Sequence, residues 1–254
     1  MFKRKTLKNI SAEEKRSVNW VRKQLNKAAV VNQKATPIPI ILIMDATYWG
    51  RKFGYLVAYT PTLKKVVYFK RIFWETKELY QNARTAIERE GYTILAVILD
   101  GRKGVKEVFA DKPVQLCHFH QKQIMVRYLT KHPKLEAAQE LKRIVNFVGV
   151  FDENAMMRML GCWYDHWQSF IKERTKVSDS NTWFYTHKRL RAAYRSLSTN
   201  LPFLYTYQKN PELCLPTTTN ELDGSFAYLK ELVSVHRGCN LARKYKYIET
   251  ILSR

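Results

Sequence analysis

An α/β fold interrupted by an all-helical block is the class this sequence predicts, and three observations predict it. Three β-rich runs follow one another at Ile40 to Trp49, Phe53 to Thr60 and Lys65 to Phe73, parted only by short polar breaks. After a helical stretch comes a continuous apolar strand, "YTILAVILDG", an order that requires a crossover connection. From about Gln121 to Tyr207 the apolar residues switch to helical spacing.

Taken in order, residues 1–37 form a basic N-terminal arm. Residues 1 to 36 carry ten Lys or Arg against Glu13 and Glu14, a local balance of +8. Ser11 and Glu14 have capping-box spacing ahead of Val18, Val21 and Leu25, which predicts a helix of about four turns starting at Ser11. Residues 38–120 are the first part of an α/β core. Its three opening runs read as an antiparallel meander, and Leu79, Ala83, Ala86 and Ile87 then mark a helix that Gly91 ends. The fourth strand is expected to lie parallel to the first, and a short helix and a further strand, "VQLCHFH", follow. Residues 121–210 are the helical insertion, with three stripes. These are Ala138, Leu141, Val145 and Val148; Met156, Met159, Leu160, Trp163, Trp167, Phe170 and Ile171; and Leu190, Ala193, Tyr194 and Leu197. Residues 211–254 return to the core through a helix whose Leu222, Phe226, Leu229 and Val233 share one face.

The totals narrow the partner. In 254 residues there are 44 Lys and Arg against 22 Asp and Glu, a formal net charge of +22, beside 46% hydrophobic residues. A chain with a real core and that excess of positive charge suits a polyanion. No run of about 18 apolar residues is present and "MFKRKTLKNISAEEK" lacks an apolar signal core, so membrane insertion and secretion have no support and nucleic acid is the expected partner. Cys117, Cys162, Cys214 and Cys239 form no CxxC pair, which fits a reducing, cytoplasmic setting.

Two carboxylates stand out. Asp45 closes one apolar strand and Asp100 another, each before a small or turn-prone residue, Ala46 and Gly101. A single Asp at a strand end is ordinarily a turn or cap residue. Two on neighbouring strands would repel, a cost that a divalent cation removes, and Mg²⁺ favours one or two carboxylates together with phosphate oxygens. A third acid is offered by Glu221 or Asp223 in "NELDG"; they flank the apolar stripe from opposite sides, so helical geometry does not choose between them. Basic residues interleave with aromatic ones in "HKRLRAAYR" and "HRGCNLARKYK", as phosphate-tracking surfaces do.

Four stretches together, "MDATYWG", "ILDGRKGV", "QLCHFHQKQ" and "PTTTNELDGSFAYLKELVSVHRG", resemble the DDE/D transposases of bacterial insertion sequences related to the Mutator-like group. The resemblance spans about residues 40 to 240. It implies a ribonuclease H-like core of three antiparallel strands plus parallel strands with flanking helices, and an all-α insertion between the second and third acids. It implies Asp45, Asp100 and Asp223 as catalytic, metal-binding residues, with Asp223 preferred over Glu221 by its place after Asn220 and before Gly224. Many relatives carry Glu there. Two Mg²⁺ or Mn²⁺ ions are then expected, with cleavage at transposon ends and transfer of the freed 3′-hydroxyl to target DNA by a dimer or larger oligomer in the bacterial cytoplasm, associated with the nucleoid when DNA-bound.

The family's Cys-x-x-His signature falls on Cys117 and His120. It is read as a structural or substrate-proximal pair rather than half of a zinc site, for which no second close pair is visible although His118, His132 and Cys162 could contribute. Trp163 and Trp167, spaced i and i+4 on an apolar stripe, are assigned to the core rather than to stacking on a flipped base. Candidate DNA contacts are Arg51, Lys52, Arg102, Lys103, Lys188, Arg189, Lys230, His236 and Arg237. Relatives usually carry a DNA-reading module ahead of the first strand, where this sequence has the basic arm, which fits an N-terminally shortened copy, a product of an interrupted gene or a chain that borrows its reader. The rival readings are a non-catalytic DNA-binding protein and a ribonuclease H-like nuclease of another kind.

Overall fold

In the computed structural model the described residues are 5–27, 38–177, 182–235 and 238–253. The chain is mixed α/β and divides into two compact units, residues 1–93 with 220–254, and residues 94–219. His236 and Arg237 lie outside the described residues.

The first unit is built on an antiparallel meander. Strand β1 (Pro39–Trp49) pairs with β2 (Phe53–Thr60), and β2 with β3 (Lys65–Ile72). Gly50, at φ +62, makes the first turn in a conformation that side chains disfavour. Both faces of β1 and β2 are covered: Ile40, Leu42, Ile43, Met44, Tyr55, Leu56, Val57 and Ala58 are all fully buried, which is why these runs are continuously apolar rather than alternating. Gly54 sits opposite Tyr48, and a Cβ there would lie 2.6 Å from the Tyr48 ring and 2.8 Å from the Thr47 carbonyl oxygen. Gly54→Ala is therefore expected to cost about 1 to 3 kcal/mol, read as a lowered thermal midpoint; an unchanged midpoint would contradict this packing.

Helix α3 (Lys77–Arg89) packs on β3 and buries Tyr80, Ala83 and Ile87. Helix α9 (Asn220–Val235) packs on β1 and buries the expected stripe of Leu222, Phe226, Leu229 and Val233, with Leu232 beside it. Helix α10 (Leu241–Leu252) closes over β3: Tyr245 meets Phe53 edge to face at 4.8 Å, and the Tyr55 hydroxyl donates to Glu249 Oε1 at 2.9 Å.

The N-terminal helix differs from expectation. Two helices occur, α1 (Leu7–Glu13) and α2 (Val18–Lys27), where the capping-box spacing predicted one from Ser11. Thr6 caps α1 by accepting from the Asn9 amide, Ser11 lies inside that helix, and Lys15 turns the chain at φ +48. Ser17 then accepts from the Trp20 amide at 3.1 Å, so the start signal lies six residues beyond Ser11.

In the second unit, β4 (Thr93–Leu99) runs parallel to β5 (Val114–Leu116), with a 3-10 turn at Lys106–Phe109 between them. The expected strand "VQLCHFH" is cut short, because Cys117 turns the chain into α4 (His118–Leu129). Helices α4, α5 (Glu136–Asn146), α6 (Glu153–Lys172) and α7 (Lys188–Leu204) pack each on the next, α7 closing back on α4, and the short α8 (Thr206–Lys209) sits against β5. The stripes on α5, α6 and α7 supply the core through Leu141, Val145, Met156, Leu160, Trp163, Leu190, Ala193 and Leu197. The block is not all-α: Arg174–Lys176 (β6) and Trp183–Tyr185 (β7) form an antiparallel hairpin between α6 and α7.

Polar side chains fasten β5 to α7 and α8. Gln115 donates from Nε2 to the Leu204 carbonyl at 2.9 Å and accepts from the Tyr207 amide at 2.9 Å; Thr206 donates to the Val114 carbonyl at 2.6 Å. His118 places Nε2 2.7 Å from the same Leu204 carbonyl, which fits a neutral ring carrying its proton there. Burial pushes the His118 pKa below its ordinary 6.5, the Leu204 hydrogen bond opposes that, and the charge of Lys122 adds to it. A folded-state value below the unfolded one means that protons bind the unfolded chain first. Stability is thus complete above pH 6.5 and falls as the pH drops from there toward the depressed value. Melting of the native protein between pH 7.5 and 5.5 should show this fall, and His118→Gln should flatten it; parallel curves would contradict the assignment.

Candidate metal centre

Asp45 lies on β1 with its backbone opposite Val57, preceded by the fully buried Ile43 and Met44, and is itself only 8% exposed. One of its oxygens, Oδ1, accepts from the Ala46 amide at 2.7 Å. Asp223 lies in the first turn of α9, where the positive end of the helix favours an acid. Because α9 docks on β1 through Leu222 and Phe226, Asp223 is carried to the same place as Asp45, and an oxygen of each lies within 4.8 Å of the other. Two oxygens that share a Mg²⁺ ion at about 2.1 Å each stand roughly 3 to 4 Å apart, so this pair accommodates an ion with little closure.

The other acid of the same turn has a different neighbour. Glu221 is exposed and interacts with the Tyr59 phenol on β2, whose pKa is pushed up first by burial and then by the charge and hydrogen bond of Glu221. The packing of α9 thus separates two acids that helical spacing alone left equivalent: Asp223 faces Asp45, and Glu221 faces Tyr59.

In the second unit Asp100 ends β4, half-buried. Its Oδ1 accepts from the Arg102 amide at 2.9 Å, and Gly101 turns at φ +88. One oxygen thus caps the turn. The other has no protein partner among the described residues. Arg102 and Lys103 follow on the surface, as do Arg51 and Lys52 after β1 and Lys230 on α9 in the first unit.

Cys117 and His120 are joined by Thr219. The Cys117 thiol is fully buried with Sγ 3.5 Å from Thr219 Oγ1, and the same hydroxyl lies 3.5 Å from His120 Nδ1. Burial pushes the thiol up, but hydrogen bonds from His120 and Thr219 together outweigh it and leave the thiol below its ordinary value. No cluster of three Cys, His or acidic donors among the described residues includes Cys117, and Cys162 is exposed on α6. The arrangement fixes the imidazole of His120 through a hydroxyl, a role that the Cys-x-x-His spacing does not announce because Thr219 is about a hundred residues further along the chain.

Trp163 is buried in the helical block, donating from Nε1 to the Ala137 carbonyl at 3.0 Å, while the half-buried Trp167 donates to Glu140 Oε2 at 2.7 Å. Lys188 and Arg189 are exposed at the start of α7, and Arg189 donates to the Arg127 carbonyl.

No helix among the described residues is long and apolar enough to cross a membrane. Neither a protein-family model nor a curated protein matches the sequence. Among solved structures, a chain of the Drosophila P element transposase strand transfer complex is similar at a TM-score of 0.42 and 12% identity, over 94% of this chain and 85% of that one.

Proposed function

We propose that this chain is a DDE/D-type transposase that cuts DNA at transposon ends and joins the freed 3′ end to target DNA. The observation that carries the reading is the meeting of Asp45 and Asp223, distant in sequence, within 4.8 Å beside a buried strand. The net charge of +22 supplies the complementary field for a polyanionic substrate.

In this reading Asp45, Asp100 and Asp223 are the carboxylate donors. Bound Mg²⁺ or Mn²⁺ supplies charge stabilisation for the entering and leaving oxygens of an in-line phosphoryl transfer. The side chains do the rest. Asp45, rigid on its strand, fixes one ligand position; Asp223 sets the second through the docking of α9; the surface lysines and arginines beside the turns hold the DNA backbone. No covalent protein nucleophile is required.

The test is an incubation of the purified protein with supercoiled plasmid in Mg²⁺ or Mn²⁺, scoring nicked and joined products on denaturing gels. Nicking with strand joining is expected. Nicking without joining would indicate a nuclease of another kind, and neither product with intact DNA binding would indicate a non-catalytic DNA-binding protein.

A further inference from the structure

The hairpin of β6 and β7 has a composition that a purely structural connection does not need. Each strand is three residues long, none of the six residues is buried, and Trp183 and Phe184 are each 45% exposed. Two short strands with no core beneath them are marginal on their own, so what holds them is local. Pairing places Arg174 opposite Tyr185 and Lys176 opposite Trp183, which puts all four side chains on one face of the ribbon. On that face the Arg174 guanidinium lies 3.9 Å over the Trp183 ring and Arg191, from α7, lies 4.0 Å over the Tyr185 ring, while the two rings meet edge to face at 5.2 Å. At the base, Glu173, an acid next to the ribbon, is taken up by His187 at 3.0 Å.

The result is two guanidinium planes set on rigid aromatic supports in the open. Among the described residues no carboxylate pairs with Arg174, Lys176, Lys188 or Arg191. From Lys172 to Arg195 there are seven Lys and Arg against two acids. Stacking leaves the guanidinium N–H groups along its edge available for a planar anion. A two-stranded ribbon also has the width that a duplex major groove admits. The rings themselves are covered by cations on this face, so the surface is made for phosphates rather than for stacking exposed bases.

We propose that the β6–β7 ribbon is a second DNA-contacting element, in which Arg174 and Arg191 clamp backbone phosphates of duplex DNA. It rests on the reading of DNA as the substrate. The ribbon positions the duplex without reading its sequence, since phosphate contacts fix register and carry no base information.

The experiment measures binding of a labelled 30-base-pair duplex of arbitrary sequence by the full chain, from 50 to 200 mM salt. Each lost phosphate contact removes about 0.9 from the slope of log affinity against log salt. The double variant Arg174→Gln/Arg191→Gln should therefore flatten the slope by about 2 and weaken binding roughly 10-fold or more at the higher salt. Arg174→Lys/Arg191→Lys, which keeps the charge, should retain most of the slope. A wild-type slope in the Gln variant overturns the proposal, and so does an equal loss in the Lys variant, which would place the effect in the ribbon's folding. Wild-type protein that fails to bind the duplex at all would overturn the DNA reading itself, whereas binding that ignores both variants leaves that reading intact and removes only the ribbon.

Discussion

Asp45→Asn should abolish metal-dependent nicking while leaving duplex binding at the wild-type level. The amide keeps the shape and the Ala46 contact but removes the charge that attracts a divalent ion; losing about 4 kcal/mol of transition-state stabilisation corresponds to roughly a 10³-fold drop in rate. Asp223→Asn and Asp100→Asn should behave alike, and Glu221→Gln, whose acid faces Tyr59 in the structure, should keep its activity. A second readout is independent of catalysis. Metal at about ten times its dissociation constant adds about 1.4 kcal/mol of stability, which for a chain of this size raises the thermal midpoint by about 3 to 6 °C. That rise should vanish in Asp45→Asn. Undiminished nicking by the variant would remove the catalytic reading, and an undiminished metal shift would move the ion elsewhere.

Trp163→Ala should cost about 3 to 5 kcal/mol in folding stability, seen as a lower urea midpoint at unchanged slope. The ring is 3% exposed and stacks on Tyr194 with centroids 5.4 Å apart, and its N–H satisfies the Ala137 carbonyl. Truncation leaves a large void and removes the indole's hydrogen bond together. A tryptophan reserved for a flipped base would give the opposite pattern, with normal stability and weakened binding to DNA ends. Trp167→Ala, half-buried, should cost less.

Much of this was legible from residue pattern, for reasons that are local. The meander was readable because β1 and β2 are covered on both faces, so their apolar runs have no alternative use, and the helical stripes were readable because α5, α6 and α7 bury one face each. What escaped was decided by single residues or by distant partners. The β6–β7 ribbon was invisible because three-residue exposed strands carry no hydrophobic period. The N-terminal helix broke in two because Ser17, not Ser11, supplied the second start. "CHFH" read as strand because its apolar residues suit either period; the turn at Cys117 and the exposure of Phe119 show the helix instead. Which of Asp223 and Glu221 lies beside Asp45 depends on the rotation of α9 about its axis, which its packing on β1 fixes.

The first unit is assembled from two stretches of chain separated by the whole of the second, residues 94–219. During synthesis, therefore, Asp45 leaves the ribosome long before Asp223: the 178 positions that separate them take roughly 9 to 36 s at about 5 to 20 residues per second. Over that interval the nascent polypeptide holds one carboxylate of the pair and lacks the other. Any premature stop or frameshift before Asn220 leaves it so permanently, and under the proposed function such truncated products would lack a complete carboxylate pair.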